Sequence, residues 1–165
     1  RDTWGWNPLM TGRLSIAYHS VDLLRWIVGD VDEVWADYND EAKVAVLRFK
    51  NGALGHVLTS GSVAHPYILS LQVRGLEGSV FCYWEEDVLR GHYHRSIEWS
   101  PDELERQPMH GRGSTEWKDE MEAFVDAIRD GSETPCPMLD GIATVETCIA
   151  IDQAMTVRSP VRVRS

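Results

Sequence analysis

Apolar residues recur at Ala17, Val21, Leu24 and Ile27, three or four positions apart, and Gly29 follows directly. That spacing predicts a helix over residues 15–28 closed by a C′ glycine. From Val31 onward the pattern changes to short β-branched and aromatic runs broken by turn residues. It predicts strands over 33–38, 43–49, 54–59, 67–74, 79–84, 88–93 and 96–99. Asn51-Gly52 sits between two of these runs and predicts a hairpin with a type I′ turn, which needs positive φ at both central residues. Tyr67, Leu69, Leu71 and Val73 alternate with Ile68, Ser70, Gln72 and Arg74, the period of a strand with one buried face.

Residues 101–114 are polar and contain Gly and Pro, so they read as a loop. Helical spacing then returns at Trp117, Met121, Phe124, Val125 and Ile128, with Thr115 placed as N-cap and Gly131 as C′ stop. A further helix over 139–155 carries Ile142, Val145, Cys148 and Ile149 on one side. Both helices are expected against one sheet face. Val161-Arg162-Val163 can add a last strand. Helix, then strands, then two helices and a strand give an α+β fold: a predominantly antiparallel open sheet with helices packed on one face.

At 165 residues one domain is the default, burying roughly 70% of the unfolded chain's surface without help from disulfides. A net charge of −10 argues against nucleic acid, whose phosphates require clustered Lys and Arg, and reads instead as a solvated acidic surface. Cys82, Cys136 and Cys148 are odd in number with no Cys-x-x-Cys spacing, so buried free thiols in a reducing cytoplasm are expected. No apolar run reaches the ~18 residues that cross a bilayer, and a membrane partner is not expected. The opening residues 1–12 carry Trp4, Trp6 and Pro8 without periodicity, as expected for the cut end of a longer chain.

Dinucleotide binding calls for Gly-x-Gly-x-x-Gly between a strand and a helix, and the nearest approach is Gly111-Arg112-Gly113, with Glu116 in place of the third glycine. It is not a nucleotide site. The first helix offers more, because Ser15, His19 and Asp22 are spaced i, i+4 and i+7 along one stripe. An imidazole titrates near neutrality and a neighbouring carboxylate can orient it, which suits proton transfer. A helical His beside an Asp is also a common structural hydrogen bond. His92-x-His94, on one face of a strand, is a rival pair for a metal-dependent hydrolase, but no third ligand stands at a recognisable spacing and no metal site is assigned.

The run from Gly12 through Arg13, Ser15, Ala17, His19, Asp22, Arg25 and Trp26 to Gly29 resembles the opening of the Gfo/Idh/MocA oxidoreductase C-terminal domain. There a Gly-rich entry precedes Asp-x-Gly-x-His-x-x-Asp and an apolar Arg-Trp turn. Val34-Trp35-Ala36, the Asn51-Gly52 hairpin, Val73-x-Gly75-x-x-Gly78-Ser79, Phe124-x-x-Ala127-Ile128-x-x-Gly131 and Asp140-Gly141 follow the same layout.

The resemblance spans about residues 9–163. It implies a substrate-binding and oligomerisation domain occupying residues 1–165. Its missing partner would be an N-terminal Rossmann domain that holds NAD or NADP and a Lys acid/base. The enzyme would oxidise or reduce a hydroxylated or carbonyl small molecule, with His19 catalytic and Arg13, Ser15 and Asp22 facing substrate. It would assemble as a homo-oligomer through the helix-free sheet face, and the isolated chain would be inactive.

Ala17 stands where the family motif has Gly, and two further departures carry meaning. Ser15 stands where the family has Asp, so it can hydrogen-bond a hydroxyl but supplies no negative charge to His19 or to a sugar diol. Arg13 stands in the glycine entry, where its planar fork suits a carboxylate or another anionic group. The loss of the Asp also leaves open a non-catalytic binding or assembly module of the same family.

Overall fold

The computed structural model describes residues 18–40, 42–60, 68–85, 88–95, 102–103 and 116–164. Helix α1 (Tyr18–Val28) leads into strands β1 (Val31–Tyr38), β2 (Ala42–Phe49) and β3 (Leu54–Ser60). Strands β4 (Ile68–Arg74), β5 (Gly78–Glu85), β6 (Val88–Arg95) and β7 (Asp102–Glu103) follow, then helices α2 (Glu116–Asp130) and α3 (Met138–Val157), and strand β8 (Val161–Arg162). The fold is α+β, and the strand pairings are antiparallel. The chain divides into one unit made of 1–62 with 136–165, and another made of 63–135.

In the first unit the sheet order is β3-β2-β1-β8, so the last strand returns beside the first. Alternation decides the faces. Val34 and Ala36 on β1, Ala45, Leu47 and Phe49 on β2, and Val57 on β3 point inward and are buried, while Trp35, Val46 and Leu58 point the other way and are exposed. The buried set meets Val21 from α1 and Cys148, Ala150, Ile151, Ala154 and Met155 from α3. Both helices therefore pack on one face and leave the other open.

The packed side of α3 differs from the one its spacing predicts. Thr144, Thr147, Cys148, Ile151, Ala154 and Met155 are buried, whereas Ile142, Val145 and Ile149 are exposed. This helix is apolar around most of its circumference, so periodicity cannot choose a face. The choice is made by tertiary packing instead, on a face that mixes Thr, Cys and Ala with Ile151 and Met155.

The turns show why local signals succeed or fail. Gly29, at φ 115°, donates its N–H to the Arg25 carbonyl at 2.8 Å and closes α1 as predicted. The hairpin at Asn51-Gly52 is present, but its turn is not type I′. Among the described residues that are not glycine only Arg158 has positive φ, so Asn51 does not. Gly52 at φ 90° donates to the Phe49 carbonyl, and Phe49 donates to Ala53, which makes a three-residue loop of a type I turn followed by a glycine bulge. Asn51 has a second task there: its Nδ2 donates to the Val28 carbonyl at 2.8 Å and ties the hairpin to the end of α1.

The second unit is a meander in the order β4-β5-β6-β7. Its Gly75 N–H donates to the Gly78 carbonyl, closing the turn between β4 and β5. Leu71 and Val73 are half-buried while Ser70, Gln72 and Arg74 are exposed, in keeping with the alternation along β4. Strand β7 corrects the loop expectation for 101–114, since Asp102 and Glu103 pair with Tyr93 and His92. A two-residue strand of acidic side chains carries no periodic signal. Helix α2 ends as predicted, with Gly131 at φ 65° and Ser132 N–H donating to the Ala127 carbonyl, a Schellman arrangement. The strand expected over 96–99 and the Thr115 cap lie outside the described residues.

Candidate functional site

Helix α1 positions the site residues. His19, in its first turn, is exposed, and its ring centroid lies 4.3 Å from that of Tyr18 with the planes tilted by 46°. Val21, fully buried, anchors the opposite side of the helix in the core and so turns His19 outward. Asp22 follows His19 by three residues on the same stripe and is half-buried. Arg13 and Ser15 lie outside the described residues.

Sequence spacing offered Asp22 as a neighbour for His19, and the partner that the structure gives its carboxylate is one that spacing could not show. Thr144 of α3 donates from Oγ1 to Asp22 Oδ1 at 2.7 Å, and Arg25 Nη1 donates to the same Thr144 oxygen at 2.8 Å. Arg25 also donates to the Asp140 carbonyl and to Asp30 Oδ1, each at 2.9 Å. Its side chain keeps only 7% exposure, so this cation is held almost out of water by three oxygen partners. The Arg25 hydrogen bond holds the Asp30 carboxyl below its ordinary range, and Lys50 adds to that from 3.6 Å. Arg25 was visible as part of the motif, but Thr144 lies 122 residues from Asp22 and had no sequence signal.

Cys148 shares this region. Burial, reinforced by the Asp22 charge, pushes its thiol up to about 11, so it is neutral and unreactive at physiological pH. A pKa raised on folding gives stability that is complete below the unfolded value of 9.0 and is lost as pH rises toward 11. The wild-type denaturation midpoint should therefore decline across that window, and Cys148→Ala should flatten the decline. An identical slope in both proteins would remove Cys148 as its cause. Cys136 corrects the expectation of three buried thiols, since it is exposed, and Cys82 is intermediate.

His92 and His94 stand on β6 opposite Phe81 and Ser79. Among the described residues, no three His, Cys, Asp or Glu side chains gather as a metal site, and no helix is long and apolar enough to cross a membrane.

Antiparallel sheet backed by helices, with a motif histidine at the exposed start of the first helix, defines an α+β domain. Residues 3–163 match the profile of the Gfo/Idh/MocA oxidoreductase family's C-terminal alpha/beta domain, and the chain belongs to that family. Myo-inositol 2-dehydrogenase of Thermotoga maritima is 36% identical over 81 residues, covering 41% of this chain and 24% of that enzyme.

Among solved structures, levoglucosan dehydrogenase in complex with NADH superimposes with a TM-score of 0.78 at 23% identity, over 93% of this chain and 50% of that one. An oxidoreductase domain protein from Kribbella flavida gives 0.76 at 19%, over 91% and 50%. Aldose-aldose oxidoreductase from Caulobacter crescentus, complexed with glycerol, gives 0.71 at 17%, over 88% and 45%. These likenesses establish the fold. The chain spans about half the length of these solved relatives and a quarter of the curated one.

Proposed function

We propose that this chain is the substrate-facing C-terminal domain of an NAD(P)-dependent oxidoreductase that acts on a hydroxylated or carbonyl small molecule, completed by an N-terminal Rossmann domain. The observation that carries the reading is His19, exposed at the start of α1 within a chain that belongs to this family. An exposed imidazole on a rigid helix can take the proton from a substrate hydroxyl as that carbon is oxidised, and return it in the reverse direction.

The nicotinamide accepts or donates the hydride when bound, and it is the partner domain that would hold it, because this chain lacks the three-glycine fingerprint. In this reading Ser15 hydrogen-bonds a substrate hydroxyl, Arg13 takes an anionic substrate group, and Asp22 lines the same stripe. The NADH carried by levoglucosan dehydrogenase in its solved complex supports a nicotinamide cofactor here. The open sheet face, with Trp35, Val46 and Leu58 exposed across adjacent strands, is where a second copy would pair to form a homo-oligomer. The reading places the enzyme in the cytoplasm.

A second reading, a non-catalytic assembly module, is favoured by one observation: Ser15 replaces the acidic residue of the motif. Turnover decides between them. The full-length protein, supplied with NAD or NADP and a panel of polyols, sugars and hydroxy acids, should reduce one cofactor with at least one substrate, while the isolated chain should not. Absence of turnover across the panel, with the protein folded and cofactor bound, would favour the assembly module.

A further inference from the structure

The clasp between α1 and α3 runs in one direction. A guanidinium carries only donors, so the Thr144 oxygen must accept from Arg25, and its single hydroxyl proton is left to point at Asp22. The same guanidinium holds the Asp140 carbonyl at the foot of α3 and the Asp30 carboxylate just beyond α1. A cation is thereby linked to a carboxylate through one hydroxyl, across the helix pair, and the carboxylate sits one turn from His19 on the same helix stripe.

Packing alone does not explain this arrangement. Val21 is already fully buried on the inner side of α1, with Leu24 and Val28 partly buried beside it. Apolar side chains at 22, 25 and 144 together would fill the same space without the cost of desolvating a guanidinium and a carboxylate. Apolar contact is also nearly non-directional and lets a helix roll about its axis, whereas hydrogen bonds of 2.7 and 2.8 Å weaken steeply when bent.

We infer that Thr144 and Arg25 are positioning residues for His19: by fixing the Asp22 carboxylate they lock the rotation of α1 and set the direction from which the imidazole meets a substrate oxygen. The inference rests on the proton-transfer reading of His19. It assigns a role in the reaction to Thr144, a buried residue of α3.

The test is a double-mutant cycle in the full-length enzyme with Thr144→Val, Thr144→Ser and His19→Gln, with kcat, KM and thermal midpoint measured for each. Thr144→Val should lower kcat about tenfold with KM little changed, as a small misplacement of an acid/base does. Thr144→Ser, which keeps the hydroxyl, should restore it. In the His19→Gln background Thr144→Val should cost nothing further, because its effect passes through the imidazole.

The same fold-loss in both backgrounds, or a wild-type kcat for Thr144→Val beside an impaired His19→Gln, overturns the inference and leaves the His19 reading standing. A wild-type kcat for His19→Gln overturns that reading, and the inference with it. Should Thr144→Val fail to fold, Arg25→Lys keeps the cation but loses the planar fork, and enters the same cycle with the same outcomes.

Discussion

Replacing Phe49 by alanine should lower the unfolding free energy of the first unit by about 3–5 kcal/mol, the usual cost of emptying a buried aromatic site. Phe49 ends β2 with 2% of its surface exposed, inside the cluster formed with Leu47, Val57 and the inner side of α3. Its ring also covers the bare backbone of Gly55 on the edge strand β3, where a Cβ would come within 3.0 Å of the ring edge. Alanine would thus leave a cavity under α3 and expose the neighbouring strand. Because a domain of this size is stable by only about 5–15 kcal/mol, the substitution removes a large share of the total. Leu54→Ala is the control: Leu54 is exposed nearby on β3 and should cost under about 0.5 kcal/mol. Urea titrations of the three proteins check this, and a Phe49→Ala loss below about 1 kcal/mol, against the range for such sites, would show that the core closes over the gap.

Phe49 also shows what the sequence makes legible. From Val34 through β2 and β3 the buried set follows period two, with only Val31, ahead of a register shift, buried out of phase, and the helix stops at Gly29 and Gly131 follow from residue type alone. Each of these is decided within a few residues. The misjudged features are decided elsewhere. The face of α3 is set by tertiary packing, because the helix is apolar around most of its circumference. The turn at Asn51 is set by a side chain recruited to cap α1 rather than by its own φ preference. The pairing of β7 depends on a strand edge that accepts two acidic residues.

The site divides along the same line. His19 and Asp22 are legible because one helix places them at fixed spacing. Thr144 is not, because the bond that brings it to Asp22 closes a loop of 122 residues. Local spacing proposes a pair, and tertiary contact decides which third group orients it.

Exchanging His19 for glutamine in the full-length enzyme should lower kcat by about 10²-fold or more, the usual contribution of a positioned acid/base. At about 1.4 kcal/mol per tenfold, that is close to 3 kcal/mol of transition-state stabilisation. Glutamine is the informative replacement. It is a good helix former and can still hydrogen-bond a substrate oxygen, but it cannot take up a proton, so binding and proton transfer separate. Since His19 is exposed, the thermal midpoint should stay close to wild type. KM should change far less than kcat. Tyr18→Phe supplies the complementary measurement: it keeps the ring against the imidazole and removes only the hydroxyl, so kcat should be retained if the tilted ring serves to hold His19. With Ser15 in the place of the family's acidic residue, the motif stripe has lost one carboxylate. The loss on removing His19 should therefore be uncompensated, and a kcat within about twofold of wild type, far short of the usual acid/base effect, would reduce this histidine to a surface residue of α1.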